Sequence, residues 1–236
     1  MQTRSVLIEA ENFEDIGGWR RDTQFVAEMG SPYLLAHGLG NPVADAVTRV
    51  RLPAPGRWHV WARTKDWVAR WNAPGAPGSF RVLADGNPLP AVFGTEGADW
   101  HWQYGGFFET GRDTVTLALR DLTGFDGRCD ALVLSADDAP PPEAVDRAWR
   151  LRMLGLPAQP ADAGVFDLAV IGGGYAGMCA AVAAARRGLS VALVEDRAVF
   201  GGNNTHEIGV PLRGLLVPGP YAVGRVVADL QLDSAD

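Results

Sequence analysis

The feature that most constrains this chain is a cluster of glycines, Gly172, Gly173, Gly174 and Gly177, set between an apolar stretch and an alanine-rich one. Residues 165–171 are apolar apart from Asp167, the composition of a strand buried on both faces of a parallel sheet. The glycines break that strand, and Ala180, Ala181, Ala183, Ala184 and Ala185 mark a helix over 175–187, small enough on one side to lie close to a sheet. Gly188 ends the helix and residues 190–195 supply a second apolar strand, so the segment reads as one strand–helix–strand unit of the parallel, Rossmann type.

Within that unit Gly172, Gly173, Gly174, Tyr175, Ala176 and Gly177 fit the G-x-G-x-x-G spacing. Its three spaced glycines suit a tight turn, close approach of a pyrophosphate and close packing of helix on strand. The start of the helix offers unpaired N–H groups and the positive end of its dipole, both suited to an anion. Glu195 closes the second strand at the spacing of a ribose-binding acid, where a carboxylate also disfavours a 2′-phosphate. FAD and NAD share this fingerprint, so the residues beyond Glu195 have to distinguish them. Asp196 and Arg197 come next, then a second glycine pair, Gly201 and Gly202, and Asn203. A loop of this kind is expected to fold over the same dinucleotide, with Arg197 near the adenosine end and the Gly201–Gly202 backbone near the diphosphate.

The first half follows different rules. Short strands are expected over 6–10, 47–52, 58–64, 80–84, 114–120 and 131–135, separated by turn formers such as Pro55-Gly56, Pro77-Gly78 and Asp85-Gly86-Asn87-Pro88. Over 58–64 the alternation puts Trp58, Val60 and Ala62 on one face and His59, Trp61 and Arg63 on the other. Many short strands at this spacing predict an all-β, jelly-roll-like sandwich over 1–137. The stretch from Asp137 through Pro140, Pro141 and Pro142 cannot continue a strand ladder, and a linker with a short helix over 143–154 is expected across 138–164. The incomplete dinucleotide unit then occupies 165–236, making the chain multidomain.

Composition narrows the function. A formal net charge of -7 argues against affinity for nucleic acid or anionic lipid, and no apolar run reaches the length of a membrane span. With no leader-like apolar segment at the N-terminus, a cytoplasmic location is expected. Cys129 and Cys179 fall in different domains and are expected as free thiols.

Together, residues 170–174, Glu195 and residues 200–204 resemble the FAD-dependent oxidoreductase family of the glutathione-reductase-like, two-dinucleotide-fold group. The first half resembles the carbohydrate-binding-module-like sandwich attached to some of these flavoproteins, through residues 9–13, 60–67, 93–97, 100–103, 121–125 and 127–130. The resemblance implies FAD as cofactor, held by the glycines and Glu195, with a small-molecule substrate and a sugar among the candidates. It also implies a structural calcium ion in the sandwich, with Glu9, Glu11 and Asp130 as ligands, a donor set of the oxygen type calcium takes. Trp61, Trp67, Trp71, Trp100 and Trp102 are candidates for stacking on sugar rings. His206, followed by Glu207, is the candidate acid or base near the flavin.

The resemblance also sets an expectation of incompleteness. Enzymes of this group carry a substrate domain and a late segment that returns to the flavin, whereas only residues 203–236 follow Gly202. The chain therefore reads as C-terminally truncated, with a partner chain as one source of the missing domain. Two other readings stay open: an NAD-dependent dehydrogenase, and a non-catalytic carbohydrate-binding protein with a vestigial nucleotide fold.

Overall fold

The structure is a computed structural model and describes residues 5–143, 147–197, 199–205 and 210. The chain divides into two compact units, Met1–Pro160 and Ala161–Asp236.

The first unit is built from β1 (Ser5–Glu9), β2 (Arg20–Asp22), β3 (Tyr33–His37), β4 (Ala46–Arg51), β5 (Gly56–Thr64), β6 (Phe80–Ala84), β7 (Asn87–Pro88), β8 (His101–Thr110), β9 (Thr114–Asp121), β10 (Phe125–Cys129) and β11 (Ala131–Ser135). A single turn of helix, α1 (Val26–Met29), precedes β3, and α2 (Arg147–Met153) follows the last strand. One four-stranded sheet runs β1-β11-β5-β8 and another β4-β9-β6-β7, with β10-β3-β2 as a third, smaller sheet. Neighbouring strands in all three are antiparallel.

The alternation read over β5 decides which side of its sheet is core. Trp58, Val60 and Ala62 are buried with Leu132 and Leu134 of β11, against Val115, Leu117 and Leu119 of β9 and Phe80 and Val82 of β6. Phe80 stacks on Phe93 at 5.5 Å and meets the edge of Trp19 at 5.6 Å, which fills the space between the sheets with rings in favourable geometry. Cys129 is buried in the same core and, like Cys179, is a free thiol.

Strand β8, the longest, was not expected from sequence. Gly105 and Gly106 interrupt its apolar pattern, and the register with β5 slips between Val60 and Trp61. Gly106 carries the slip with a φ of +100°, a conformation open to glycine.

The short helix expected after the sandwich is α2, and it packs within the first unit. Trp149 and Met153, one turn apart, lie on Leu7, Val133 and Trp102 of the outer sheet face. The indole N–H of Trp102 donates to the Pro142 carbonyl at 3.0 Å, so the proline-rich stretch is also tied to that sheet.

In the second unit β12 (Leu168–Ile171), α3 (Tyr175–Ala185) and β13 (Val191–Val194) follow in order, and the two strands pair in parallel with Leu168 opposite Val191. Asp167, the lone acid of the first apolar stretch, accepts hydrogen bonds from the Ser190 N–H at 2.9 Å and hydroxyl at 2.7 Å, fastening the start of one strand to the other. The expectation that β12 is buried on both faces needs correction. Leu168 and Val170 are half-buried, but Ala169 is exposed and Ile171 is 79% exposed, because α3 is the helix packed on this strand pair among the described residues. No helix among the described residues is long and apolar enough to cross a membrane.

Candidate functional site

The glycine turn begins where β12 ends. The Gly172 N–H donates to the Val194 carbonyl at 2.8 Å, and the chain then leaves the sheet and enters α3 with Gly174 as N-cap in extended conformation. Gly177 lies so close beneath the turn that a Cβ there would sit 1.8 Å from the Gly172 carbonyl oxygen. A Cβ on Gly174 would meet nothing within 4 Å, so the space in front of the helix start is open. The first four N–H groups of a helix have no partner inside it, which leaves this opening lined with donors at the positive end of the dipole.

Glu195 faces the turn. Its Oε2 accepts from the Gly173 N–H at 2.7 Å and its Oε1 from the N–H groups of Asp196 at 2.9 Å and Arg197 at 3.3 Å. Partial desolvation pushes this carboxyl up, but the interactions with Asp196, Arg197 and Gly173 outweigh it and hold the group below the usual carboxylate range. Oε1 thus accepts two bonds, and Oε2, which accepts one, keeps a lone pair for a further donor.

The second glycine pair closes on the first. Gly201 pairs with Gly174 in a parallel bridge, and its N–H donates to the Gly173 carbonyl at 2.8 Å. Asn203 holds the far side of this loop through its carbonyl, which accepts from the Val210 N–H at 2.9 Å. The structure thus brings Gly172, Gly173, Gly174, Gly177, Glu195, Gly201 and Gly202 together. Tyr175 is half-buried and its phenol is pushed up by burial, while Ala176 is exposed on the first turn of α3. His206 and Glu207 lie outside the described residues. Phe200 was not anticipated from sequence: a Cβ on Gly173 would lie 2.4 Å from its Cδ1, so the ring rests on the glycine turn. The residue before a glycine pair was readable only as part of a motif, since its partner is far along the chain.

In the first unit Glu9, Glu11 and Asp130 do converge, but on an arginine, and calcium is not supported there. The Arg150 guanidinium occupies the pit, its Nη2 donating to Glu9 Oε2 at 2.9 Å and to Asp130 Oδ2 at 2.8 Å. Its Nη1 donates to Ser31 Oγ at 3.1 Å and to the Met29 carbonyl. Arg63 adds a second cation, with Nε 3.5 Å from Asp130 Oδ2. Among the described residues no group of three or more His, Cys, Asp or Glu is arranged to hold a metal ion. Burial pushes Glu9 up to about 7 against the pull of Arg150, and pushes Asp130 up to about 6 against Arg150 and Arg63. Glu11 is driven up to about 9 by burial and by the neighbouring Glu9, and its Oε2 is buried without a hydrogen-bond partner.

The five tryptophans separate by environment. Trp100 and Trp102 are buried, Trp100 against Tyr33 and Phe25 and Trp102 under α2, which corrects their reading as sugar-stacking rings. Trp61 and Trp67 are half-buried, and Trp71 is 63% exposed with its ring edge against Trp67 at 6.1 Å.

Residues 167–234 match the family described as FAD dependent oxidoreductase, a family whose name carries its cofactor. No curated protein matches the chain. The fold is similar to that of a Podospora anserina GH26-CBM35 β-(1,4)-mannanase at 16% identity and a TM-score of 0.46, over 60% of this chain and 29% of that one. A family 35 carbohydrate binding module from Clostridium thermocellum is 18% identical with a TM-score of 0.42, over 55% of this chain and 96% of the module. The CBM35 of Paenibacillus barcinonensis is 14% identical with a TM-score of 0.43, over 56% and 99% respectively. The chain thus joins a stretch that matches an FAD-dependent oxidoreductase family to a mainly β unit.

Proposed function

We propose that the second unit binds FAD through its ADP half and belongs to an FAD-dependent oxidoreductase of Rossmann type. The observation that carries this reading is the convergence of the helix start, the Glu195 carboxylate and the Gly201 backbone on one open space. A pyrophosphate in front of Gly174 would accept from the N–H groups at the start of α3, and the remaining lone pair of Glu195 Oε2 would accept from a ribose hydroxyl. The Gly202 backbone lies beside Gly174, and the Phe200 ring rests against Gly173. Bound there, FAD supplies a ring able to accept a hydride from substrate. This chain's part is to bind and orient the cofactor. The second glycine pair, seated on the first, favours FAD over NAD.

The test is the visible spectrum of the purified protein, followed by acid release and identification of the cofactor. FAD in the released fraction supports the reading. Release of NAD, or a folded colourless protein that does not take up added FAD, rejects it.

The sandwich is proposed to present Trp71 and Trp67 to a sugar, since an exposed ring flanked by a second one offers a stacking face. Quenching of tryptophan fluorescence by an oligosaccharide, lost in Trp71→Ala, tests this. Equal quenching in the variant refutes it.

A further inference from the structure

The pit that holds Arg150 has the donor-accepting geometry of a receptor for one chemical group. Four acceptors surround the guanidinium: Glu9 Oε2, Asp130 Oδ2, Ser31 Oγ and the Met29 carbonyl. They come from four places in the chain, namely β1, the segment after β10, the loop before β3 and the end of α1. Two nitrogens each serve two of them, an arrangement that uses the planar fork of a guanidinium and that a single ammonium nitrogen cannot reproduce. Ser31 in turn donates to Asp130 Oδ1 at 3.2 Å, fixing that carboxylate in orientation. Arg150 itself is 8% exposed, yet it rides on a seven-residue helix that is open to solvent on its other side. A cavity of about 550 Å³ opens in front of the pit, lined by Glu9, Glu11, Glu28 and Arg150 itself. Glu11 Oε2, 6% exposed as a residue and unpartnered, adds an acceptor that the seated arginine does not use.

We propose that this pit is a guanidinium-binding site whose resident ligand is Arg150, so that α2 is held on the sandwich by a displaceable side-chain ligand rather than by continuous packing alone. The packing that remains is narrow: Trp149 and Met153 touch the outer sheet face, and the last turn ends at the exposed Leu154. The cavity is lined by Glu9, Met29 and Ser31, so it gives a guanidinium from outside a path to three of the four acceptors, with Asp130 buried behind them. The ligand class is therefore an arginine side chain or a small guanidinium compound, and the consequence of exchange is release of α2.

The experiment uses the full chain with Arg150→Ala and the probe methylguanidinium, with methylammonium at the same concentration as control. Hydrogen exchange across residues 147–153 is expected to speed up by at least about tenfold in the variant, with the exchange of β5 and β9 unchanged. Methylguanidinium is expected to raise the variant's thermal midpoint in a saturable way, with no such effect from methylammonium. Equal responses to the two ions, or an Arg150→Lys chain as protected at α2 as the unaltered one, would overturn the proposal. Should Arg150→Ala fail to fold, the unaltered chain decides the matter. Methylguanidinium below its unfolding concentration should accelerate exchange in α2 selectively, and an equal effect from methylammonium would reject the site.

Discussion

Two glycines of the same motif play different physical parts, and substitution separates them. Gly177 is required by the fold, because a methyl there collides with the Gly172 carbonyl at 1.8 Å. A Cβ added to Gly174 would meet nothing within 4 Å and its backbone is one any residue adopts, so a methyl there points into the space proposed for the diphosphate. Gly174→Ala is therefore expected to leave the circular dichroism and thermal midpoint unchanged while cutting FAD content on purification by tenfold or more, on the order of the loss of one or two hydrogen bonds to a charged group. Gly177→Ala is expected to lose FAD and structure together. Retention of FAD by Gly174→Ala would show that the open space in front of α3 is not where the cofactor lies. In the sandwich Phe80 sits fully buried between Trp19 and Phe93. Phe80→Ala is expected to lower stability by about 3–5 kcal/mol in urea unfolding, since the cavity left between two rings cannot close.

At the level of elements, α2 and the proline stretch before it depend on side chains of the sheet they cover. Trp102 contributes twice, as apolar surface beneath Trp149 and as donor to the Pro142 carbonyl. Trp102→Phe keeps most of the first contribution and removes the second. A loss of about 1 kcal/mol is expected in denaturant unfolding, the usual worth of one neutral hydrogen bond. A loss above about 3 kcal/mol would mean that the ring's packing, not its donor, is what the strap depends on. The strand β8 shows the same dependence on neighbours. Its glycines weaken it as an isolated strand, and pairing with β5 over nine positions restores it.

For the molecule as a whole, the pit sets the pH response of the first unit. Glu9, Glu11 and Asp130 are raised to about 7, about 9 and about 6, so across neutral pH the folded state holds more protons than the unfolded one. Stability of such groups is present below their unfolded values and is lost as pH rises through the folded ones. The thermal midpoint of the sandwich is therefore expected to fall steadily from about pH 5 to about pH 9, and a midpoint that rises over that range would contradict the protonation assigned to the pit. Much of the architecture was legible in the sequence. Alternation placed Trp58, Val60 and Ala62 in the core, proline and glycine marked the turns, and the glycine spacing located the helix start, all of which act through neighbours a few residues apart. The seat of Arg150 was not legible, because its partners Glu9 and Asp130 lie 141 and 20 residues away and the cation reading of those acids said nothing about which cation arrives. Nor was the placement of Phe200 on Gly173 or of Gly201 on Gly174, which depends on how the chain returns after β13. Backbone preference and period determined the elements and the open helix start. Only tertiary packing decided which distant side chain fills a buried charge, since an unpaired carboxylate in the interior is costly and the nearest cation able to reach it settles the site.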